Sequence, residues 1–80
     1  MKEKKPTYEE FFKLVVEDAR KDLATSVNDD QFKKGIEENL DVIKCDYADN
    51  CIKFDRGDID RKKFLTAGVA ACSYNLYMLI

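Results

Sequence analysis

The chain has 80 residues, of which 45 % are hydrophobic and 38 % charged, and its formal net charge is −2. This length corresponds to one domain with enough apolar material for a core, which excludes wholesale disorder. The odd number of cysteines and the charged first residues are atypical of a disulfide-stapled domain that follows a signal peptide. We therefore expect a cytoplasmic protein with reduced thiols.

The first predicted helix covers residues 7–26. Thr7 and Glu10 have the spacing of a capping box, in which each side chain satisfies the other residue's free backbone N–H. From Tyr8 onwards, apolar residues recur every three or four positions, which is the helical period. Residues 1–6 contain three lysines, and we expect them to form a flexible basic tail before a single helical domain at residues 7–80.

The second predicted helix covers residues 28–56. Asn28 is a favourable N-cap, and Gln31 occupies the third helical position. Apolar residues then continue at helical spacing as far as Phe54. Gly57 follows, at the place where a helix commonly ends on a left-handed glycine.

The third predicted helix covers residues 58–79, with Asp58 as its cap. No charged residue occurs from Phe64 to Ile80, and apolar residues fall on nearly every side of this helix. Short links between the three helices predict antiparallel neighbours. The sequence therefore predicts an all-α fold, a three-helix up-down-up bundle.

An apolar helix of this kind needs a cover, and three alternatives remain open. The helix is either central in the monomer, or it forms an interface, or it is a C-terminal membrane anchor whose length and polar residues are marginal for a span. An interface predicts a homodimer or a protein partner. The residues predicted for that self-association or partner face are Val69, Tyr74, Leu76, Tyr77 and Ile80.

Acidic residues concentrate on the outside of the second predicted helix. They predict a face that docks on a basic groove of a protein partner, although interspersed lysines are also typical of an ordinary solvated surface. The residues of this acidic face are Glu37, Glu38, Asp41, Asp46 and Asp49. In size and charge, though in no sequence motif, the chain resembles small acidic inhibitors encoded by phages, such as anti-CRISPR proteins. That resemblance implies inhibition of a larger protein.

Catalytic and cofactor-binding patterns are missing from the sequence. There is no histidine, and the three glycines are isolated, so we expect no enzyme activity and no cofactor. Residues 54–64 resemble the second half of an EF-hand loop, but aligning Gly57 with the loop glycine places Lys63 where calcium needs a carboxylate, so we expect no metal. Cys45 lies off the apolar stripe and is a candidate reactive thiol.

These patterns predict a non-enzymatic protein-interaction module, a regulator or inhibitor of a larger partner. The alternative is a small DNA-binding regulator that uses the basic cluster at residues 56–63. The acidic middle of the chain and the lack of a polar face on the third helix argue against nucleic-acid binding. The membrane anchor is the third alternative. The basic cluster consists of Arg56, Arg61, Lys62 and Lys63.

Overall fold

A computed structural model describes residues 4–23 and 26–80 of the chain. Within these ranges all regular structure is helical and no strand occurs, which confirms the predicted all-α fold. The helices are α1 (Tyr8–Leu23), α2 (Asp29–Glu38) and α3 (Leu40–Asp55), followed by a C-terminal run. That run consists of α4 (Arg61–Lys63), a π-helical turn (Phe64–Gly68) and α5 (Val69–Leu79).

The first helix start is fixed by the predicted capping box, and the second by a capping box at the predicted N-cap Asn28. The Glu10 N–H donates to Thr7 Oγ1 at 3.1 Å, and the Thr7 N–H donates to Glu10 Oε1 at 3.3 Å. The same reciprocal pair joins Asn28 and Gln31, at 2.8 and 3.1 Å. Both starts are therefore set locally, by side chains three residues apart. The end predicted for the first helix falls partly on residues 24–25, which lie outside the described residues.

The second predicted helix is divided at Asn39, which corrects the prediction of one helix over 28–56. The backbone of Asn39 has φ −117° and ψ 24°, outside the helical region. Its side-chain amide donates to the Gly35 carbonyl at 2.8 Å, so a side chain replaces part of the helical hydrogen-bond ladder. Ile36 and Ile43 are nevertheless both buried, because the apolar spacing continues across the break.

The third predicted helix starts three residues later than expected. Asp60 is the N-cap, since its Oδ1 accepts from the Lys63 N–H at 2.8 Å, whereas Asp58 lies in the preceding turn. Gly57 ends α3 with φ 82°, as predicted. The Asp58 N–H donates to the Lys53 carbonyl and the Gly57 N–H to the Phe54 carbonyl, the pattern of a Schellman motif.

Substitution of Gly57 tests whether the left-handed conformation at the end of α3 requires glycine. A methyl group at this residue would meet no atom within 4 Å, so the cost of Gly57→Ala arises from the backbone conformation alone. We expect a loss of about 1 kcal/mol in the free energy of unfolding, and a smaller loss for Gly57→Asn. Urea denaturation followed by circular dichroism measures both, and equal stability of all three chains would contradict the assignment.

Contacts between the helices establish the up-down-up order. The Phe11 and Phe64 rings lie 5.7 Å apart, and Ser73 Oγ donates to Asp18 at 2.8 Å, so α1 and the C-terminal run are parallel. Asn75 donates to the Asp46 carboxylate at 3.2 Å, while Phe54 packs on Phe64, so α3 runs antiparallel to both. The C-terminal run therefore packs against α1 on one side and α3 on the other.

An aromatic cluster forms one end of the core. Its rings belong to Tyr8, Phe11, Tyr47, Phe54 and Phe64. The Tyr47 hydroxyl donates to the Pro6 carbonyl at 2.7 Å, and burial, together with the Cys51 thiol, raises the pKa of Tyr47 to about 12.

Part of the predicted N-terminal tail lies against this end of the bundle. Pro6 is fully buried, and Lys5 pairs with Asp55 at 2.8 Å. Residues 1–3 lie outside the described residues. Lys5 and Pro6 thus cover one end of the aromatic cluster.

Candidate interaction surfaces

The outer side of residues 66–78 in the C-terminal run is an exposed surface without charged residues. Tyr74 is 62 % exposed, Met78 65 % and Tyr77 44 %, on a helix whose other side is buried. We call this surface the uncharged face; it consists of Thr66, Ala67, Ala70, Ala71, Tyr74, Tyr77 and Met78. Contiguous exposed apolar surface on a small protein is typical of an interface.

The composition of the predicted self-association face needs correction. Val69 and Leu76 are 6 % and 0 % exposed, because they point between α1 and α3 into the core. Ile80 packs over Gly35, where an added methyl group would lie 2.8 Å from Ile80 Cγ1. Of the five predicted residues, Tyr74 and Tyr77 remain on the outer surface.

Met78 was not predicted for this surface, although 65 % of it is exposed, slightly more than for Tyr74. It lies four positions after Tyr74, which places both side chains on the same side of a helix. This spacing predicts that Met78 is exposed if Tyr74 is exposed. The sequence of α5 has no polar side, so it does not show which of its residues are exposed.

Charged residues border the two ends of the uncharged face differently. Asp22 lines a shallow depression with Tyr74 and Tyr77, and Asp46 bonds Asn75 beside them. Lys53 and Lys63 line the groove beside Ala67 and Ala71, and Lys62 is exposed at the same end. Glu17 and Lys21 both lie along the α1 edge of the face, and Asp49 lies along the α3 edge. The tyrosine end is thus bordered mainly by aspartates, and the alanine end mainly by lysines.

The five residues of the predicted acidic face do not lie on one surface. Glu37 borders a groove between α1 and α2, while Glu38 lies beside Ile80 and pairs with Lys34 at 3.9 Å. Asp46 and Asp49 line the groove between α3 and α5, and Asp41 is exposed at the start of α3. The break at Asn39 separates the first two residues from the other three. Four of these carboxylates are therefore distributed among three grooves.

A second apolar surface lies between α1 and α2. It is a groove of about 530 Å³ with charged residues only at its rim, a volume typical of small-ligand sites. Its apolar lining is formed by Phe12, Val16, Phe32, Ile36 and Leu40. At one end the guanidinium of Arg20 lies 5.2 Å from the centre of the Phe32 ring and pairs with Asp29. Each of these lining residues belongs to a predicted apolar stripe, so the groove could not be predicted from the helical period.

The basic cluster at residues 56–63 is partly engaged within the chain. Arg61 donates to the Lys4 carbonyl at 3.0 Å and pairs with Glu10. The backbone N–H of Thr7, together with Arg61, lowers the pKa of the Glu10 carboxyl. Lys62 and Lys63 are exposed, and they border the alanine end of the uncharged face.

The three cysteines lie in different environments. Cys45 is exposed, Cys51 is half-buried and Cys72 is buried. Burial, reinforced by a hydrogen bond with Asp46, raises the pKa of the Cys72 thiol. Cys72 is therefore a small core side chain that is held protonated, and Cys45 remains the candidate reactive thiol.

Thiol labelling is expected to distinguish these environments. In the folded protein, Ellman's reagent should modify Cys45 quickly and Cys72 only after urea unfolds the chain, because the buried thiol is both inaccessible and protonated. The matched control is Cys45→Ser, which should remove the fast phase and leave the slow one. Fast modification of Cys72 in the folded chain would contradict its placement in the core.

Comparison with protein-family models, curated proteins and solved structures finds no match to this chain. Among the described residues, no helix combines the length and the hydrophobicity that crossing a bilayer requires. In residues 4–23 and 26–80, no group of three histidine, cysteine, aspartate or glutamate side chains is placed to hold a metal ion.

Proposed function

We propose that this protein is a non-enzymatic protein-interaction module that binds another protein chain through the uncharged face. The observation that carries the proposal is the exposure of Tyr74, Tyr77 and Met78 together on one side of α5. A regulatory or inhibitory action on a larger partner is the role that we propose for this binding.

The physical chemistry of these side chains supports a protein as the ligand. A tyrosine buries a large apolar ring while its hydroxyl keeps a hydrogen bond, and methionine adapts to irregular surfaces. Such residues are enriched in the buried centre of interfaces, whereas charged residues are depleted there. The uncharged face has this composition, with charged residues at its border.

The border residues indicate where a partner would contribute polar groups. Asp22 and Asp46 lie beside the tyrosines, so basic side chains of the partner would complement this end. The DNA-binding alternative is less well supported, because Arg61 is engaged by Glu10 and by the Lys4 carbonyl.

A matched pair of variants tests the proposed function. Tyr74→Lys with Met78→Lys places two charges on the uncharged face, while Ile52→Lys places one at another exposed apolar residue, which is 54 % exposed on α3. Each tagged chain is used to capture proteins from native host cells that also produce the untagged chain. Proteins lost with the double variant and retained with Ile52→Lys are then purified and titrated against the wild-type chain by calorimetry.

Direct binding of such a protein, whether the untagged chain or another, supports the function. Binding should weaken at least about tenfold in the double variant, which corresponds to about 1.4 kcal/mol. Capture of the same proteins in the same amounts by all three chains would overturn the proposal. Circular dichroism checks that the variants are folded. We expect the double variant to fold, because Tyr74 and Met78 are both exposed.

A further inference from the structure

Large and small side chains are separated along the uncharged face. Its first half holds Thr66, Ala67, Ala70 and Ala71, and its second half holds Tyr74, Tyr77 and Met78. Two identical helices that pack in parallel place large side chains against large ones. An antiparallel pair centred between Ala70 and Ala71 instead places Tyr74 of each copy beside Ala67 of the other. Small residues at the centre also allow the two backbones to approach closely.

The charges at the border are also unevenly distributed between the two ends of the face. Lys53, Lys62 and Lys63 outnumber Glu17 and Asp49 beside the alanines, whereas Asp22 and Asp46 lie at the tyrosine end. With about 1.5 Å per residue, Lys63 and Met78 are each about 11 Å from the midpoint of the pair, on opposite sides. Antiparallel packing therefore brings the lysines of one copy to the aspartates of the other, whereas parallel packing opposes like charges.

We propose that the occupant of the uncharged face is a second copy of this chain, packed antiparallel about a two-fold axis near Ala70 and Ala71. The inference rests on the proposed function, since it names the protein that this face binds. Because the same surface patch meets itself, the dimer is closed and has no free end that would extend into a filament.

The size of the face sets the expected strength of the dimer. It is little wider than one helix, and stable interfaces bury about 800 Å² on each partner. We therefore expect a dissociation constant in the micromolar range, so that monomer and dimer both occur at accessible concentrations. A weak dimer of this kind could be displaced by a larger partner that binds the same face.

Sedimentation velocity of the purified full chain, from micromolar to millimolar concentration, tests self-association. The wild type and Ile52→Lys should shift from monomer to dimer over this range. Tyr74→Lys should raise the dissociation constant at least about tenfold. A wild-type chain that remains a monomer at every concentration would overturn the inference.

Charge reversal tests the orientation of the two copies. In an antiparallel dimer, Lys62→Glu with Lys63→Glu should weaken association, because glutamates then face Asp22 and Asp46 of the other copy. Asp22→Lys should weaken it as well, and a mixture of the two variants should associate more strongly than either alone. In a parallel dimer, either variant taken alone replaces contacts between like charges with contacts between other like charges, so its affinity should not change. Unchanged homodimer affinities would therefore overturn the antiparallel arrangement.

The outcomes separate the inference from the function. A monomeric wild type that still binds a different protein through Tyr74 and Met78 would overturn the second copy as occupant and leave the proposed function intact. A chain that neither dimerises nor shows partner binding sensitive to Tyr74→Lys would overturn both.

Discussion

Replacing Phe64 with alanine is expected to remove about 3–5 kcal/mol from the free energy of unfolding. Phe64 is fully buried at the start of the π-helical turn, and its ring contacts those of Phe11, Tyr47 and Phe54. The substitution therefore leaves a cavity where α1, α3 and the C-terminal run meet. Domains of this size have a total stability of about 4–12 kcal/mol, so the variant should lose a large part of its stability and unfold at a much lower urea concentration.

Urea denaturation of three chains measures this effect. Phe64→Leu keeps part of the volume and should remain folded with a smaller loss, which gives a value even if Phe64→Ala does not fold. Ile52→Ala, at a residue that is 54 % exposed, should change the stability by no more than about 0.5 kcal/mol. Similar losses for Phe64→Leu and Ile52→Ala would show that the aromatic cluster is not the centre of the core.

Replacing Leu76 with alanine is expected to cost about 2–5 kcal/mol of monomer stability. Leu76 is 0 % exposed, whereas Tyr74, two residues earlier, is 62 % exposed on the outer side of α5. Tyr74→Ala should therefore change monomer stability by no more than about 0.5 kcal/mol. This contrast tests the correction to the self-association face, because a surface role for Leu76 would make the two losses similar.

The protein concentration separates the two effects further. The loss for Leu76→Ala should appear at every concentration, since it belongs to the folded monomer. The loss for Tyr74→Ala should grow as concentration rises, because dimer formation stabilises the folded state by mass action. Thermal unfolding over a hundredfold range of concentration measures both. A loss for Leu76→Ala that disappears on dilution would contradict its burial in the monomer core.

The features that the sequence predicted correctly depend on residues within one turn of each other. Thr7 and Glu10 form the predicted capping box, Asn28 is the predicted N-cap, and Gly57 adopts the predicted left-handed conformation. The apolar period of α1 similarly placed Val15, Ala19 and Leu23 inside. Local hydrogen bonds and helical spacing can be read from the residues alone, because no distant part of the chain takes part in them.

The break at Asn39 shows where local patterns stop being sufficient. Ile36 and Ile43 keep helical spacing on either side of it, so the apolar period predicted one continuous helix. The Asn39 N–H bonds the Ile36 carbonyl, and the Asn39 side-chain amide bonds the Gly35 carbonyl that this N–H would meet in a continuous helix. Asn50 makes the same side-chain bond to the Asp46 carbonyl inside unbroken α3, so neither the residue type nor this bond predicts a break.

The sequence by itself determined that this chain is a helical bundle and that its last helix has no charged side. It did not determine which side of that helix is covered, because residues 64–80 contain no amphipathic pattern to orient. Packing against α1 and α3 decided it: Val69 and Leu76 fill the space between the helices, and Ser73 is buried because Asp18 accepts its hydrogen bond. Tyr74, Tyr77 and Met78 are left outside, and only the tertiary structure gathers them into a surface.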